Sequence, residues 1–332
     1  MIEIDGSYGE GGGQILRTAV AMSMITGTEI KINNIRANRP KPGLSYQHLK
    51  SIEAAVEISN GSAKGLEKGS EIVEFIPGEI RGGFYRFDIS TAGSVTLMLQ
   101  ALLPPAVISG KKITLELKGG TDVKWSPPYD YFKNVFLQHL NNMNCDIESK
   151  LIKRGHYPKG GGKIRVDISE SEVKKPNYST DISKIKGKAF VTDLPEHIMK
   201  RMKKSVLKEF LEVPVSINTE SYTSSSPGTG ITIWTEGERV LGCGKLGEKG
   251  VPAEEIGKET ADTLKTFIGE DVVLDNWSAD QIIPFLPMVE ERGDLKVLEK
   301  TGHLETNIWV VNKFADDDIN LEPVGNHYLI KY

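Results

Sequence analysis

A glycine-rich loop near the N-terminus carries one acidic side chain. It covers residues 6–14 and joins a predicted strand to a predicted helix. Glycines let backbone N–H groups approach phosphate oxygens at a helix N-terminus, where the helix dipole also favours negative charge. Glu10 would repel such an anion unless a cation such as Mg²⁺ bridges the two. The loop therefore predicts either a phosphate site with a bridging metal or a tight turn that packs the helix on its sheet.

A basic segment stiffened by prolines follows the first predicted helix and strand. Residues 35–44 contain Arg36, Arg39 and Lys41 and no acidic residue. Proline restricts the backbone, so these cations lie on a segment with little conformational freedom to lose. The pattern favours contact with a phosphate or polynucleotide, and a solvated basic loop is the alternative.

Polar side chains on two predicted helices lie close to these loops. Gln47 and His48 are in the first turn of the helix that follows the basic segment. Arg17 is one turn into the helix that follows the glycine-rich loop. We expect all three to face the same anion-binding region.

His303 lies just before the last predicted helix. The N-terminus of a helix disfavours an imidazolium, so we expect a neutral imidazole there. A nucleophile or general base must be neutral, which makes His303 a candidate catalytic residue. A structural role for this histidine is the alternative.

Aromatic residues and prolines follow the segment 119–122. Trp125, Pro127 and Pro128 lead into a predicted helix that starts with Tyr129. A flat proline and an aromatic ring can stack on a base, although such residues also commonly pack a loop. Periodicity does not decide between the two.

A G-x-G-x-x-G pattern occurs at residues 242–247. The next predicted helix begins only near Pro252, and no βαβ unit of the required length surrounds the pattern. We therefore expect no dinucleotide site there.

The elements that would position these residues form an internal repeat. Three segments share the order small-residue loop, apolar helix, glycine and short strand. The predicted helices cover 14–26, 95–109 and 280–292, and the glycines predicted to cap them are Gly27, Gly110 and Gly293. Second helices are predicted over 45–59, 128–143 and 304–314. The pattern indicates three copies of a βα unit, and chance recurrence in an α/β protein is the alternative.

Residues 181–271 do not fit the repeat. They are predicted to contain a strand, a basic helix over 195–212, a hairpin that pairs 231–234 with 239–241, and a helix over 252–268. We predict a main domain of residues 1–180 plus 272–332 and an inserted α/β domain of residues 181–271. The basic helix is either an RNA contact or a solvated face.

Composition limits the class of protein. The chain has 332 residues, a formal net charge of −4 and 39% hydrophobic residues, which excludes a disordered chain. Its least polar stretch, Val95–Ile108, contains Gln100 and two prolines and is too short for a membrane span. The two cysteines are far apart, which argues against a disulfide framework or structural zinc. We expect a cytoplasmic protein with no membrane partner.

Taken together, the motifs resemble the RNA 3′-terminal phosphate cyclase family over nearly the whole chain. The matching residues are Asp5-Gly6, Gly9-Glu10-Gly11-Gly12-Gly13-Gln14-Ile15-Leu16-Arg17, Ile35-Arg36-Ala37, Lys41-Pro42-Gly43-Leu44, Gln47-His48-Leu49, Arg81-Gly82-Gly83, Ala92-Gly93-Ser94, Gly119-Gly120-Thr121-Asp122, Tyr157-Pro158, Gly160-Gly161-Gly162, Ala279-Asp280-Gln281, His303, Thr306 and Asn307. The resemblance implies an α/β (α+β) fold. Its main domain would have three repeats of a βα unit, like the C-terminal domain of translation initiation factor three, with a smaller α/β insert.

The resemblance also implies an activity. The family converts an RNA 3′-phosphate to a 2′,3′-cyclic phosphate, consumes ATP and releases AMP and pyrophosphate. By analogy, His303 becomes adenylated and passes AMP to the RNA 3′-phosphate. Glu10 corresponds to the position that binds Mg²⁺ or Mn²⁺. The implied phosphate and RNA-end contacts are Arg17, Arg36, Arg39, Gln47 and His48, and the implied ATP contacts are Gln100, Pro127, Trp277, Asp280 and Gln281. Trp277 stands where the family often has tyrosine, and an indole can stack equally well.

Two other functions are alternatives to this one. Some relatives keep the fold, lack the histidine and act in ribosomal RNA processing without catalysis, whereas this chain has His303, Glu10 and Arg17. Enolpyruvyl transferases also repeat βα units, but six copies are expected there and the sequence contains three.

Overall fold

A computed structural model of the protein describes residues 1–178, 181–315 and 318–332. The first repeat contains β1 (Ile2–Asp5), α1 (Gly13–Thr26), β2 (Ile30–Asn33), α2 (Tyr46–Ser59), β3 (Ser62–Lys64) and β4 (Val73–Ile76). Strands β1 and β2 are parallel and are connected through α1, and the sheet order is β1-β2-β4-β3. Gly27 adopts a left-handed φ of 68° and ends α1 as predicted, because glycine has no Cβ to strain that conformation.

The second repeat has the same sheet order. It contains β5 (Gly83–Asp88), α3 (Val95–Ile108), β6 (Ile113–Gly119), α4 (Tyr129–Tyr131), a π-helical turn (Phe132–Phe136), α5 (Leu137–Asn142), β7 (Ile147–Lys153) and β8 (Gly162–Ile168). The order β5-β6-β8-β7 corresponds strand by strand to β1-β2-β4-β3. The predicted second helix over 128–143 is present, but the π-helical turn interrupts it.

The insert follows β8 and has its own sheet and core. It contains β9 (Ile182–Thr192), α6 (His197–Glu209), β10 (Val215–Tyr222), β11 (Gly228–Gly237), β12 (Gly242–Leu246) and α7 (Ala253–Gly269). The sheet order is β10-β9-β11-β12, and both helices pack on this sheet around buried residues such as Val206, Ile233 and Leu264. The predicted domain boundary at 180/181 involves residues 179 and 180, which lie outside the described residues, so the domain bounds stay a prediction.

The third repeat closes the main domain. Leu274 pairs with Val297 in a single parallel bridge at the place of the first strand. The repeat then contains α8 (Asn276–Ile282), a 3₁₀ helix (Ile283–Met288), β13 (Asp294–Val297), α9 (Gly302–Val311), β14 (Asn320–Val324) and β15 (His327–Lys331). The order β13-β15-β14 corresponds to β2-β4-β3. Across the described residues the unit therefore occurs three times, which confirms the predicted mixed α/β repeat fold.

Two predictions about element bounds are wrong. The helix expected over 280–292 instead begins at Asn276 and continues as a 3₁₀ helix to Met288, so Gly293 is not its left-handed cap. Pro284 has no N–H to donate to the carbonyl of Asp280, which accepts from Asn307 Nδ2 instead.

The second wrong bound lies in the insert, where no strand forms over 239–241. The guanidinium of Arg239 is buried there and donates to the carbonyl oxygens of Phe267, Ile268 and Val272. The segment still contacts β11 at Thr235, whose N–H donates to the carbonyl of Leu241 (2.9 Å), and regular pairing with β11 starts where β12 begins at Gly242.

Helices α1, α3 and α9 pack together, and their N-termini meet at one end of the main domain. Gln14 at the start of α1 donates to the carbonyl of His303 at the start of α9 (2.6 Å). This arrangement brings together three loops that are far apart in the sequence. In the described part of the chain, no helix is both long and apolar enough to cross a bilayer.

Candidate active site

A cleft of about 880 Å³ opens where the three helix N-termini meet the insert. The main domain contributes the loop before α1, the starts of α1, α3, α8 and α9, and the segment 123–128. The insert contributes β12 and α7, so both parts of the protein form its walls. The predicted site residues that line it are Glu10, Arg17, Gln100, Pro127, Trp277, Asp280, Gln281 and His303.

His303 is in the first turn of α9 and lies between two carboxylates from other segments. Its Nδ1 is 3.6 Å from Asp280 Oδ2, and its Nε2 is 3.5 Å from Glu10 Oε2. About half of the imidazole is exposed to the cleft (52%), so a substrate can reach it. Thr301 caps α9 by accepting from Leu304 N (2.9 Å), which fixes the turn that carries the histidine.

The pKa of His303 is raised from its ordinary value, which corrects the expectation that the helix N-terminus keeps this ring neutral. The largest cause is the hydrogen bond to Asp280, followed by the burial that opposes it and by the charges of Asp280 and Glu10. The two carboxylates together outweigh burial and the nearby charge of Arg17. His303 lies in the first turn of α9, and its pKa shifts in the opposite direction to the one predicted from the helix N-terminus alone.

Asp280 is held rigidly beside His303. Thr301 Oγ1 donates to Asp280 Oδ1 (2.6 Å), which leaves Oδ2 for the imidazole. The main-chain oxygen of Asp280 accepts from Asn307, whose own Oδ1 accepts from Thr18 (2.7 Å). Burial raises the pKa of the Asp280 carboxyl. Sequence reasoning missed Thr301, Thr18 and Asn307 as supports, because their contacts join segments that are distant along the chain.

Glu10 is half exposed at the edge of the cleft. Arg39 Nη2 lies 3.4 Å from its carboxylate, and Gly9 and Gly11 on either side have a left-handed φ of 56°. Among the described residues, no group of three or more metal-ligating side chains of the His, Cys, Asp and Glu types could hold an ion. Mg²⁺ in nucleotide sites is commonly held by one or two carboxylates together with substrate phosphates and water. A single exposed carboxylate next to a histidine and an arginine fits a metal of that kind.

Arg17 is a buried cation that faces the cleft. Its Nε donates to Gln100 Oε1 (3.0 Å), and in the described part of the chain no carboxylate forms an ion pair with it. Burial lowers its pKa to about 10, so it stays charged at neutral pH. A buried cation without a protein counter-ion favours an anionic ligand.

The other predicted phosphate contacts are near the site but do not line the cleft. Arg36 Nη1 donates to the carbonyl of Gly43 (2.7 Å), and Gln47 Oε1 accepts from Ser94 N at the start of α3 (2.8 Å). His48 is buried beneath Gly13, where an added Cβ would lie 2.1 Å from its Nε2. Burial lowers the pKa of His48 to about 3, so this ring is neutral. The structure thus brings Arg39 to Glu10, while Arg36, Gln47 and His48 bind other parts of the protein.

The second half of the cleft contains the aromatic residues. Trp277 is 40% exposed, and its ring meets Tyr131 and Phe267 edge to face, each at 6.0 Å between centroids. Gln281 Nε2 donates to the carbonyl of Trp277 (2.8 Å). Pro127 lines the same cleft.

The insert contributes cleft residues that sequence reasoning missed. Gly244, Lys245 and Leu246 belong to the G-x-G-x-x-G pattern, but they form β12 rather than a loop before a helix. Lys245 is paired with Glu259 (2.5 Å), and Lys124 of the main domain is paired with Glu248 of the insert (2.8 Å). The sequence predicts no dinucleotide site at this pattern, and no sequence signal predicts that its strand lines this cleft.

Comparisons with known proteins show which family this chain is similar to. A family model described as RNA 3′-terminal phosphate cyclase matches residues 8–321. A protein of Pyrococcus furiosus named RNA 3′-terminal phosphate cyclase is 48% identical over 95% of this chain and 93% of its own length. Proteins with the same name from Archaeoglobus fulgidus and Methanopyrus kandleri are 45% and 43% identical, over 100% and 97% of this chain and 100% and 95% of their own lengths.

Proposed function

The chain belongs to the RNA 3′-terminal phosphate cyclase family, and we propose that it makes RNA 2′,3′-cyclic phosphate ends through a covalent adenylate on His303. The observation that carries the proposal is the position of His303. Its imidazole lies in an open cleft with one nitrogen next to Asp280 and the other next to Glu10. A phosphate monoester has a poor leaving group, so covalent activation divides a difficult displacement into easier ones.

The first step uses Nε2 as the nucleophile. The proton of a neutral His303 stays on Nδ1, which faces Asp280 Oδ2, so the lone pair is on Nε2, facing the cleft near Glu10. Nε2 attacks the α-phosphorus of ATP, an N–P bond forms, and the bond to the bridging oxygen breaks to release pyrophosphate. Asp280 stabilises the positive charge that develops on the ring.

Charges around the cleft support binding of the triphosphate. Arg17 supplies a buried cation without a counter-ion, and Gln100 orients it. Mg²⁺ or Mn²⁺ held by Glu10 and phosphate oxygens would supply further charge neutralisation. Pro127 and Trp277 line the same cleft, where their flat surfaces are available to the two faces of adenine.

The next two steps regenerate the histidine. An oxygen of the RNA 3′-phosphate attacks the phosphorus of the adenylate, the N–P bond breaks, and His303 recovers its lone pair. The neighbouring ribose 2′-hydroxyl then attacks the terminal phosphorus, loses its proton and expels AMP, which closes the ring. Arg39, at the edge of the cleft beside Glu10, is suited to hold the RNA phosphate.

Adenylation can be tested directly. The protein is incubated with α-³²P-ATP and Mg²⁺ or Mn²⁺, separated on a denaturing gel, and assayed in parallel for cyclic ends on a 3′-phosphate RNA. We expect wild-type protein and the variant His197→Ala to keep the label and cyclise the RNA. His197 is an exposed histidine of the insert and serves as the matched control.

We expect His303→Ala to lose both label and product. Folded wild-type protein that takes no label and leaves the RNA unchanged would contradict the proposal and favour a non-catalytic role in ribosomal RNA processing.

A further inference from the structure

The mouth of the cleft carries a tryptophan that the proposed function does not use. We propose that Trp125 stacks on the base of the 3′-terminal RNA nucleotide, an inference that rests on the proposed function. Trp125 lines the cleft, and 94% of its surface is exposed. A tryptophan exposed at a cleft mouth presents a large apolar ring where a nucleic acid strand would enter.

The ring of Trp125 has no partner among the residues that the structure describes. The exposed rings of Tyr8, Tyr46 and Phe84 are covered by Trp309, Lys68 and Arg86, respectively. Trp125 makes no stacking, cation–π or side-chain hydrogen bond within the described ranges; the exposed Tyr157 makes none there either, but it does not line the cleft. Its faces are therefore available to a ligand.

The backbone of Trp125 is strained. Its φ is +61°, a left-handed value that bulky side chains rarely adopt. Most other non-glycine residues with positive φ in the described chain are Asn or Asp, which tolerate this conformation, and one is Ser90. The remaining one, Arg36, has a hydrogen bond from its side chain to Gly43 (2.7 Å) to offset the strain, whereas Trp125 has none. Such strain is typical of residues held in place for function.

The chain on both sides of Trp125 is anchored. We call residues 123–127 the mouth loop. Lys124 forms an ion pair with Glu248 of the insert (2.8 Å), and Ser126 Oγ donates to the carbonyl of Val123 (2.8 Å). Thr96 Oγ1 donates to the carbonyl of Pro127 (2.8 Å). The exposure of Trp125 therefore belongs to a fixed loop, so a base stacked on it loses little freedom to loop ordering.

The position of the mouth loop favours RNA over ATP as the source of the base. In the proposed site, both faces of adenine are covered by Pro127 and Trp277, which leaves no adenine face for Trp125. The mouth loop also binds the first turn of α3 through Thr96, close to Ser94, which donates to Gln47. Gln47 is one of the residues that the family resemblance implies at the RNA end, so α3 connects the mouth loop to that region.

Binding of RNA without ATP tests this inference. The probes are short 3′-phosphate RNAs with a 5′ dye, one with a 3′-terminal adenosine and one whose terminal ribose lacks the base. Their dissociation constants are measured by fluorescence anisotropy at fixed salt, since affinity depends on salt. For wild-type protein we expect loss of the base to weaken binding roughly 5- to 150-fold, the range for a base stacked on an aromatic ring.

Variants at Trp125 complete a double-mutant cycle. We expect Trp125→Ala to weaken binding of the intact RNA by the same factor and to show no further loss with the base-free RNA. Trp125→Phe retains a ring and should keep most of the affinity. Leu211→Ala is the control, because Leu211 is also exposed (87%) but belongs to the insert away from the cleft lining. All these variants should form the His303 adenylate at the wild-type rate when RNA is absent.

Three results would overturn the inference while the proposed function stands. Trp125→Ala could bind the intact RNA as tightly as wild type, or it could still lose affinity when the terminal base is removed. A fall in adenylation without RNA would show that the base is the adenine of ATP. Wild-type protein that neither adenylates nor binds RNA would instead overturn the proposed function itself.

Discussion

The protonation state of His303 depends on a carboxylate of a different helix. Asp280 of α8 raises the pKa of the imidazole, whereas the helix N-terminus alone would lower it. A histidine with a raised pKa is protonated over a wider pH range and becomes a nucleophile only as the pH rises through that pKa. The rate of adenylation should therefore increase with pH. The midpoint of this increase should lie above the ordinary pKa of histidine because of Asp280.

Asp280→Asn should move this limb to lower pH. The amide removes the negative charge next to Nδ1, so the neutral imidazole persists at lower pH. The maximal rate should fall roughly 10²- to 10⁴-fold, since asparagine does not hold the tautomer that leaves Nε2 unprotonated. The measurement is the initial rate of adenylate formation from pH 5 to pH 9 without RNA. An unchanged midpoint would show that Asp280 does not control the charge of His303.

Residue types alone predicted that His303 and Glu10 lie beside helix N-termini, because the sequence marks both helix starts clearly. The effect of Asp280 was not predictable in that way. Asp280 lies beside His303 through contacts between α8 and α9, in which Asn307 donates to the carbonyl of Asp280 and Thr301 donates to its carboxylate.

At the scale of elements, two of the three glycine signals for a helix end were reliable. Gly27 and Gly110 have the predicted left-handed backbone, with φ of 68° and 62°. The third signal failed at Gly293, because α8 is followed by a 3₁₀ helix that ends at Met288. Prolines alone do not explain this early end, since α3 stays α-helical through Pro104 and Pro105. The order of elements was therefore predictable from the repeat, but the end of this helix was not.

Gly13 has a role at this scale that phosphate-loop chemistry alone does not explain. It starts α1 directly above His48 of α2, so a side chain at position 13 would collide with the imidazole. Gly13→Ala should lower the free energy of unfolding by roughly 1–3 kcal/mol, the usual cost of overpacking. Urea denaturation at pH 7 measures this.

Two further variants test the cause. Gly269→Ala is the matched control, since the last residue of α7 has open space and an ordinary backbone, and its stability should be unchanged or slightly higher. Combining Gly13→Ala with His48→Ala should cost less than the sum of the single changes, because the small residue makes room. Strict additivity would contradict the proposed collision.

At the scale of the whole molecule, the repeats and the insert together form the cleft. Sequence patterns did not predict this arrangement. The basic run over 150–165 shows why. It contains no acid in sequence, yet Arg154 is buried between Asp122 (2.9 Å) and Asp130 (2.5 Å), and its guanidinium lies over Phe190 of the insert (3.7 Å). A residue of this basic run thus joins the main domain to the insert.

Buried histidines should also make the stability of the whole fold depend on pH. His139 is fully buried, its Nδ1 lies 2.9 Å from the hydroxyl of Tyr178, and burial lowers its pKa to about 3. The unfolded chain binds a proton at this histidine below about pH 6.5, whereas the folded chain does not until about pH 3. Its contribution to stability is therefore fully present above pH 6.5 and is lost as the pH falls.

Asp275 acts in the opposite direction. Burial raises the pKa of Asp275 to about 6. As the pH falls from about 6 to about 4, the folded state therefore takes up a proton before the unfolded state does, and the free energy of unfolding rises. Wild-type stability is a sum of such effects, and the contribution of one histidine must be isolated by comparison with a variant.

His139→Gln removes the titrating group and keeps a polar partner for Tyr178. At pH 7 we expect the variant to be less stable than wild type, because the amide fits the buried site less well. Between pH 7 and pH 5 the difference should shrink by about 2 kcal/mol, since one proton per molecule changes stability by about 1.4 kcal/mol per pH unit below pH 6.5. Urea denaturation at pH 7, 6 and 5 measures this difference in the free energy of unfolding.

His197→Gln, at the exposed histidine of the insert, is the control and should show a constant difference from wild type. Parallel curves for His139→Gln and wild type would mean that His139 takes up its proton equally in both states, contrary to its burial.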